Sequence, residues 1–406
     1  MLKKVCMVFS AKQSIPLSLA PLLALTWLAH FFIDTMLGIW PVYKSMAQLD
    51  FAKAGLVVAA GAFIGEGAQL FFGAFSDRGY RKHLMILGLL LVVASTLVVQ
   101  FSHYGILFCL YLFTCLGSGS FHPAAGSLMG SLIPTRRGLL MAIFASGGSL
   151  GLAFSQLIFL FVYKNMNGQT YLLAIPAIIL SFFLIFYRFP VIQSVQHTLK
   201  KGILRDFKAF FCHIPLRMLY LAQVANQSIL WGMIFILPDA LKTLGLAEWI
   251  YYGGGHLCLI LGGACMMVPA GYLADKYSPR QVILYAGIVS CATFYFILFF
   301  GSFSMWLSLL LLFILGASLT LVNPIGIALG VRYAPGQAGS ISAFLMGMVW
   351  CISEAIGPGS VGLMTAFFEN YAPIKALAVL GLLFLIQIYA TFSLPKEEQE
   401  LVFSPC

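Results

Sequence analysis

Gly73–Lys82 reads GAFSDRGYRK, and Gly271–Arg280, 198 residues later, reads GYLADKYSPR. Gly73 aligns with Gly271 and Asp77 with Asp275 at that one spacing. Both stretches are short, polar and basic, and both are flanked by long apolar runs. Further pairs recur at a spacing of 201: His122-Pro123 with Asn323-Pro324, Pro134 with Pro335, and Gly138 with Gly339. Repeated pairs at a nearly constant offset indicate a duplicated unit. Membrane transporters are commonly built this way, with the substrate site at the repeat interface near the bilayer midplane.

The apolar runs dominate the composition. The 406 residues are 61% hydrophobic and 9% charged, and the mean hydropathy is +0.96. A soluble domain carries about 25% charged residues, so these residues cannot build a water-facing surface. A soluble enzyme, a coiled coil, a disordered chain and a disulfide scaffold are thereby excluded. The nine cysteines form no CxxC pair and read as small buried hydrophobes. The net charge of +10 sits in short loops, which points to membrane topology rather than a nucleic-acid partner.

A spanning helix needs about 20 apolar residues. Twelve candidates lie at roughly 19–42, 53–76, 83–102, 104–133, 138–163, 169–189, 216–241, 249–274, 281–301, 304–330, 338–368 and 374–394. The first is too long for a cleavable signal and carries His30 and Asp34. Placing both termini in the cytoplasm puts 18 of the 23 Lys and Arg residues on the inner side, as the positive-inside rule requires. The expectation is an all-α membrane protein of twelve transmembrane helices in two pseudo-symmetric six-helix bundles, 1–189 and 216–406. Residues 190–215 form a basic cytoplasmic linker suited to an anionic leaflet. The expected setting is the cell (inner) membrane, as a monomer whose partners are lipid, protons and a small-molecule substrate.

Six plus six spans, a basic central linker and the G-x-x-x-D-R/K-x-x-R/K loop in both halves resemble the major facilitator superfamily. The family's loop ends D-R-x-G-R-R/K. Here Gly79 and Tyr80 exchange places in Asp77-Arg78-Gly79-Tyr80-Arg81-Lys82. The second copy keeps Gly271, Asp275, Lys276 and Arg280 but carries Pro279 where a base is expected. The sequence also looks like the fosmidomycin-resistance branch of drug exporters, through His30, Asp34, Pro41 and GSGSFHPAAG (Gly117–Gly126). The family's antiporter glycine pattern in span five is met by Gly138, Gly147 and Gly151, while Leu152 and Ser155 replace its proline and last glycine. Phe113 stands where many proton antiporters carry an arginine. The resemblance implies that spans one, four, seven and ten line a central cavity. It also implies that Asp77, with Arg78, Arg81 and Lys82, sets the conformational equilibrium by docking near the start of span eleven in the outward-open state.

Ionisable groups at membrane depth are costly, and each is a functional candidate. His30 and Asp34 are four apart on one helix face, an arrangement able to pass a proton. Glu66 and Glu354 are further proton-coupling candidates. His122, beside the helix-breaking Pro123, is a substrate-binding candidate with Gln223, Asn226, Gln227, Trp231 and Asn323. His256, behind Gly253-Gly254-Gly255, reads as interfacial. No metal site and no cofactor are expected, only the proton gradient. No Walker A motif occurs, so ATP drive within the chain is excluded. The leading function is proton-coupled efflux of a small molecule or drug by alternating access. A symporter importing a nutrient or organic anion is the alternative. An intramembrane serine hydrolase using Ser118 or Ser120 with His256 is the remote one, and no enzymatic activity is expected.

Overall fold

The computed structural model describes residues 17–133, 136–189, 203–300, 304–334 and 337–396. Pro134, Pro335, half of the expected linker (190–202) and both terminal segments lie outside the described residues, as does the side chain of Asp275. The described residues are helical, with no strand. This follows from lipid as solvent, where backbone groups must be satisfied within the segment.

The helices are α1 Ala20–Met46, α2 Phe51–Gln100, α3 Tyr104–Leu132, α4 Gly138–Asn165, α5 Thr170–Phe186, α6 Ile203–Cys212, α7 Ile214–Thr243, α8 Gly255–Lys276, α9 Pro279–Phe300, α10 Met305–Tyr333, α11 Ser340–Thr365 and α12 Ala372–Phe392. Among the described residues ten helical segments are long and apolar enough to cross a membrane. α5 is apolar but shorter than its expected span. The expected spans two and three together make α2, which reverses at Gly79 with φ +95°. Glycine adopts that left-handed backbone without penalty, which explains a glycine at this position of the loop. Asp50 starts α2 by accepting from the Lys53 amide at 2.8 Å. Phe71, Phe186, Trp306, Phe367 and Tyr389 are exposed, the surface a lipid-facing bundle presents.

Two expectations are corrected here. α3 runs through Pro123 without interruption, so His122-Pro123 does not divide its helix. The described part of the linker, α6, does not present its apolar face to a membrane. It seats Phe207 and Phe210 against Phe344 of α11 at 5.5 and 5.4 Å between ring centroids.

The sequence repeat has a structural counterpart. Lys82 donates to the carbonyls of Ile185 and Tyr187 at the end of α5, at 2.6 and 3.1 Å. Arg280, 198 residues on, donates to the carbonyls of Thr391 and Phe392 at the end of α12, at 3.3 and 2.6 Å. Each base caps orphan C-terminal carbonyls within its own half. In this conformation Lys82 and Arg280 thus make equivalent local contacts.

The halves are zipped at one end. Lys44 of α1 pairs with Asp239 of α7 and sits between the rings of Phe51 and Phe235, at 4.7 and 4.5 Å. Lys164 meets Glu248 at 2.5 Å nearby. α2 and α11 approach backbone to backbone. A Cβ on Gly55 would stand 2.6 Å from the Pro358 carbonyl, and one on Gly362 2.4 Å from that of Phe51. At the opposite end Asp77, Arg78 and Tyr80 stand exposed, so the docked arrangement expected of Asp77 is not the one adopted.

Candidate functional site

α1 lies against α4 along a groove of small residues. A Cβ on Gly147 would meet the Trp27 carbonyl at 2.7 Å, and one on Gly151 that of Phe31 at 2.0 Å. Further along, Ser155 packs on Gly38, where a Cβ would be 2.1 Å from its Oγ. The serine that replaces the expected glycine is thus accommodated by a glycine on the partner helix. Gly138 takes no part, because nothing lies within 4 Å of a Cβ there.

This close approach brings His30 and Asp34 to His122 of α3. His30 Nε2 lies 3.1 Å from His122 Nε2 and 3.4 Å from Asp34 Oδ2. His122 Nε2 lies 3.3 Å from Asp34 Oδ1. His30 Nδ1 is 2.7 Å from the Phe144 carbonyl, whose ring stacks on the imidazole at 4.0 Å. His122 Nδ1 is 3.0 Å from the Ser118 carbonyl and 3.1 Å from Ser118 Oγ. The three side chains are 7%, 17% and 14% exposed, in the order His30, Asp34, His122. One donor atom from each falls within 4.8 Å of the others, close enough to hold one cation.

Glu66 extends the cluster. It is buried, accepts from the Gln69 amide, and interacts with Ser118 and His122. Glu354 of α11 is buried and lies within electrostatic reach of Glu66 and Asp34. His30, Asp34, His122 and Glu66 are therefore joined, the last through Ser118, and Glu354 lies within electrostatic reach of them. The other substrate candidates lie apart from this cluster, on α7 and α10. Asn226 donates its Nδ2 to the Leu319 carbonyl at 2.9 Å, while its Oδ1 is buried without a hydrogen-bond partner. Gln223 and Trp231 have buried amide and indole groups without hydrogen-bond partners, and Gln227 and Asn323 are buried.

Sequence reading missed three participants. Lys44 counts there as an outer-loop cation, yet it is fully buried. Its partner Asp239 is an acid inside a span that goes unremarked. Gly148 is the third, since its Cβ would stand 2.3 Å from His30 Nε2 and 2.4 Å from Asp34 Oδ2. A glycine pair on a helix signals close packing, but only the structure tells which member faces the site. His256 is not interfacial. It is buried and bonds the Leu152 carbonyl of the other half at 2.8 Å.

The model of the Major Facilitator Superfamily matches residues 22–358 and 257–401. An uncharacterized MFS-type transporter of Bacillus subtilis, YfnC, is 25% identical over 143 residues, 34% of this chain. That match spans 35% of the relative's own length. Among solved structures, a bacterial homologue of the human lysosomal transporter Spinster, in an inward-facing and unoccupied conformation, is similar with a TM-score of 0.77. It is 14% identical over 93% of this chain and 97% of the other. The nucleoside transporter NupG is similar with a TM-score of 0.75, at 12% identity over 92% of this chain and 99% of the other. At these identities the likeness is one of fold.

Proposed function

The chain belongs to the major facilitator superfamily of transporters, and from that premise we propose that it is a proton-coupled exporter of a small molecule, working by alternating access. The observation that carries this reading is the His30–Asp34–His122 cluster. Two imidazoles and a carboxylate meet within hydrogen-bond range in a site nearly closed to water. Imidazole is the side chain best suited to taking up and passing on a proton, and a neighbouring carboxylate can share it. Ser118 links His122 to Glu66, giving the proton a route along the bundle.

Twelve spans in two six-helix halves follow if α2 is counted as two spans, bent at Gly79, and α5 as the sixth. Lys82 and Arg280 in equivalent roles support that division. With the basic loops in the cytoplasm, the zipped end faces outward, and the exposed Asp77 accords with a state closed to the outside. The unpartnered Gln223 and Trp231 groups on α7 suit an uncharged or zwitterionic substrate with hydrogen-bonding groups. An organic-anion importer would need a free cation near mid-depth. Among the described residues the fully buried lysine, Lys44, is committed to Asp239.

The test uses the purified protein in proteoliposomes with an imposed pH gradient, beside a resistance and uptake screen in a host lacking major exporters. Compound accumulation that rises when an uncoupler is added supports proton-driven export. Accumulation that requires the gradient supports import and refutes the proposal.

A further inference from the structure

The hydrogen bonds around the cluster fix where its protons are. A carbonyl oxygen only accepts, so the Nδ1 of His30 facing the Phe144 carbonyl carries its hydrogen. The same holds for His122 Nδ1 facing the Ser118 carbonyl. In their neutral forms both rings then aim an Nε2 lone pair inward, and these lone pairs are 3.1 Å apart. Asp34 adds two carboxylate oxygens at 3.4 and 3.3 Å, and its Oδ1 is buried without a hydrogen-bond partner. Lone pairs converging this closely repel unless a cation lies between them.

We propose that His30, His122 and Asp34 form a binding site for a divalent first-row transition-metal ion of the Zn²⁺ class. The spacing fits. With metal–ligand bonds of about 2.0–2.1 Å, the ligands of a tetrahedral site stand about 3.3–3.4 Å apart. The nitrogen–nitrogen separation is 3.1 Å, each nitrogen has its own carboxylate oxygen (Oδ2 at 3.4 Å from His30, Oδ1 at 3.3 Å from His122), and one donor atom from each residue lies within 4.8 Å of the others. Two imidazoles and one carboxylate suit ions of borderline softness, not Mg²⁺ or Ca²⁺. Each ring already donates its other N–H to a backbone carbonyl, the outer-shell arrangement that fixes a ligating histidine's tautomer. Gly148 keeps the space beside His30 Nε2 and Asp34 Oδ2 clear of any side chain. Three protein ligands leave one position for water or a substrate donor. Proton and metal use the same lone pairs, so each excludes the other. In that respect the inference rests on the cluster being the coupling site.

The experiment is Zn²⁺ titration of the full-length protein in lipid nanodiscs by isothermal calorimetry, with Co²⁺ absorption as a probe of geometry. One ion per chain is expected, with a tetrahedral Co²⁺ spectrum. Asp34→Asn and His122→Gln should each weaken Zn²⁺ binding at least about tenfold, as loss of a ligand requires. His256→Gln removes a buried histidine elsewhere and should leave the affinity unchanged. Thermal unfolding without metal shows which variants are folded, and Zn²⁺ should raise the midpoint of the wild type and His256→Gln only. Absence of one-to-one binding, or binding unaffected by both cluster variants, overturns the proposal. A proton-driven response in metal-free proteoliposomes is measured alongside. If it persists while Zn²⁺ fails to bind, the metal site is refuted and the coupling stands. If Zn²⁺ binds and no proton response exists, the coupling fails and the metal site stands.

Discussion

Replacing Asp239 by asparagine should open the zipped end. Lys44 is fully buried and Asp239 is its ionic partner, with 12% of the acid side chain exposed. Removing one partner of a buried pair costs about 3–5 kcal/mol, because a charge is left uncompensated. The rings of Phe51 and Phe235 still flank the ammonium, and the asparagine amide oxygen can still accept, so the lower end, about 3 kcal/mol, is expected. The penalty applies only where Lys44 is buried, since an opened end hydrates it. At about 1.4 kcal/mol per factor of ten, the ratio of closed to open should fall by about a hundredfold. Lys44→Met should cost less, because the remaining carboxylate keeps contact with water. Lys44→Met combined with Asp239→Leu should restore closure, as apolar replacement of a whole buried pair often does. The assay is double electron–electron resonance between spin labels at the exposed positions Gln48 and Ala247 in a cysteine-depleted background. Asp239→Asn should add a longer-distance population. An unchanged distance distribution in Asp239→Asn, or equal opening in Lys44→Met, refutes the reasoning.

Asp34→Asn should bring pH-gradient-driven transport in proteoliposomes to background while thermal unfolding stays close to wild type. Gly148→Ala should lower proton-driven transport at least about tenfold, since its Cβ would stand 2.3 Å from His30 Nε2; a Cβ clash of this size costs about 1–3 kcal/mol, and transport at the wild-type rate would contradict the geometry. Lys82→Ala and Arg280→Ala should each destabilise by about 1–2 kcal/mol through lost charge-assisted hydrogen bonds, and their shifts in denaturation should add because they act in separate halves. Glu354→Gln should preserve proton binding, followed by infrared difference spectroscopy, while lowering transport.

The repeat was legible because position carries it. Lys82 and Arg280 stand at the same offset as Asp77 and Asp275, and the structure gives both bases one job. His30 and Asp34 were legible as an i, i+4 pair, since helix geometry alone puts them on one face. His122 could be named as a candidate, but its contact with that pair depends on how α3 crosses α1, which no local pattern records. Lys44 was misread for a physical reason. A lysine near the end of an apolar run ordinarily reaches water, and its partner lies 195 residues away. His256 was misread because three glycines before it suggest a loop, whereas here Gly253 allows tight packing on Leu157 of the other half. α6 was misread because an amphipathic helix offers the same face to a membrane or to a protein groove. Phe344, its partner, carries no mark in the sequence.

The placement of the cluster constrains how it can drive transport. His30, Asp34, His122, Ser118 and Glu66 all belong to α1, α2 and α3, and Phe144 to α4. A cation arriving there changes charge inside one half only. Close contacts at Gly38, Gly147 and Gly151 hold α1 against α4 beside the cluster. Coupling therefore has to cross the interface. Glu354 is a carboxyl of the facing half within electrostatic reach of both Asp34 and Glu66, on a helix packed directly against α2. Lys44 to Asp239 is the second crossing, ten residues beyond Asp34 on α1, about 15 Å along the helix. Neutralising the cluster weakens the repulsion felt by Glu354 but leaves the distant ion pair untouched. On the proposed coupling, Glu354 would carry the signal across and Lys44–Asp239 would set the resting equilibrium, so Glu354→Gln should uncouple without opening and Asp239→Asn should open without uncoupling.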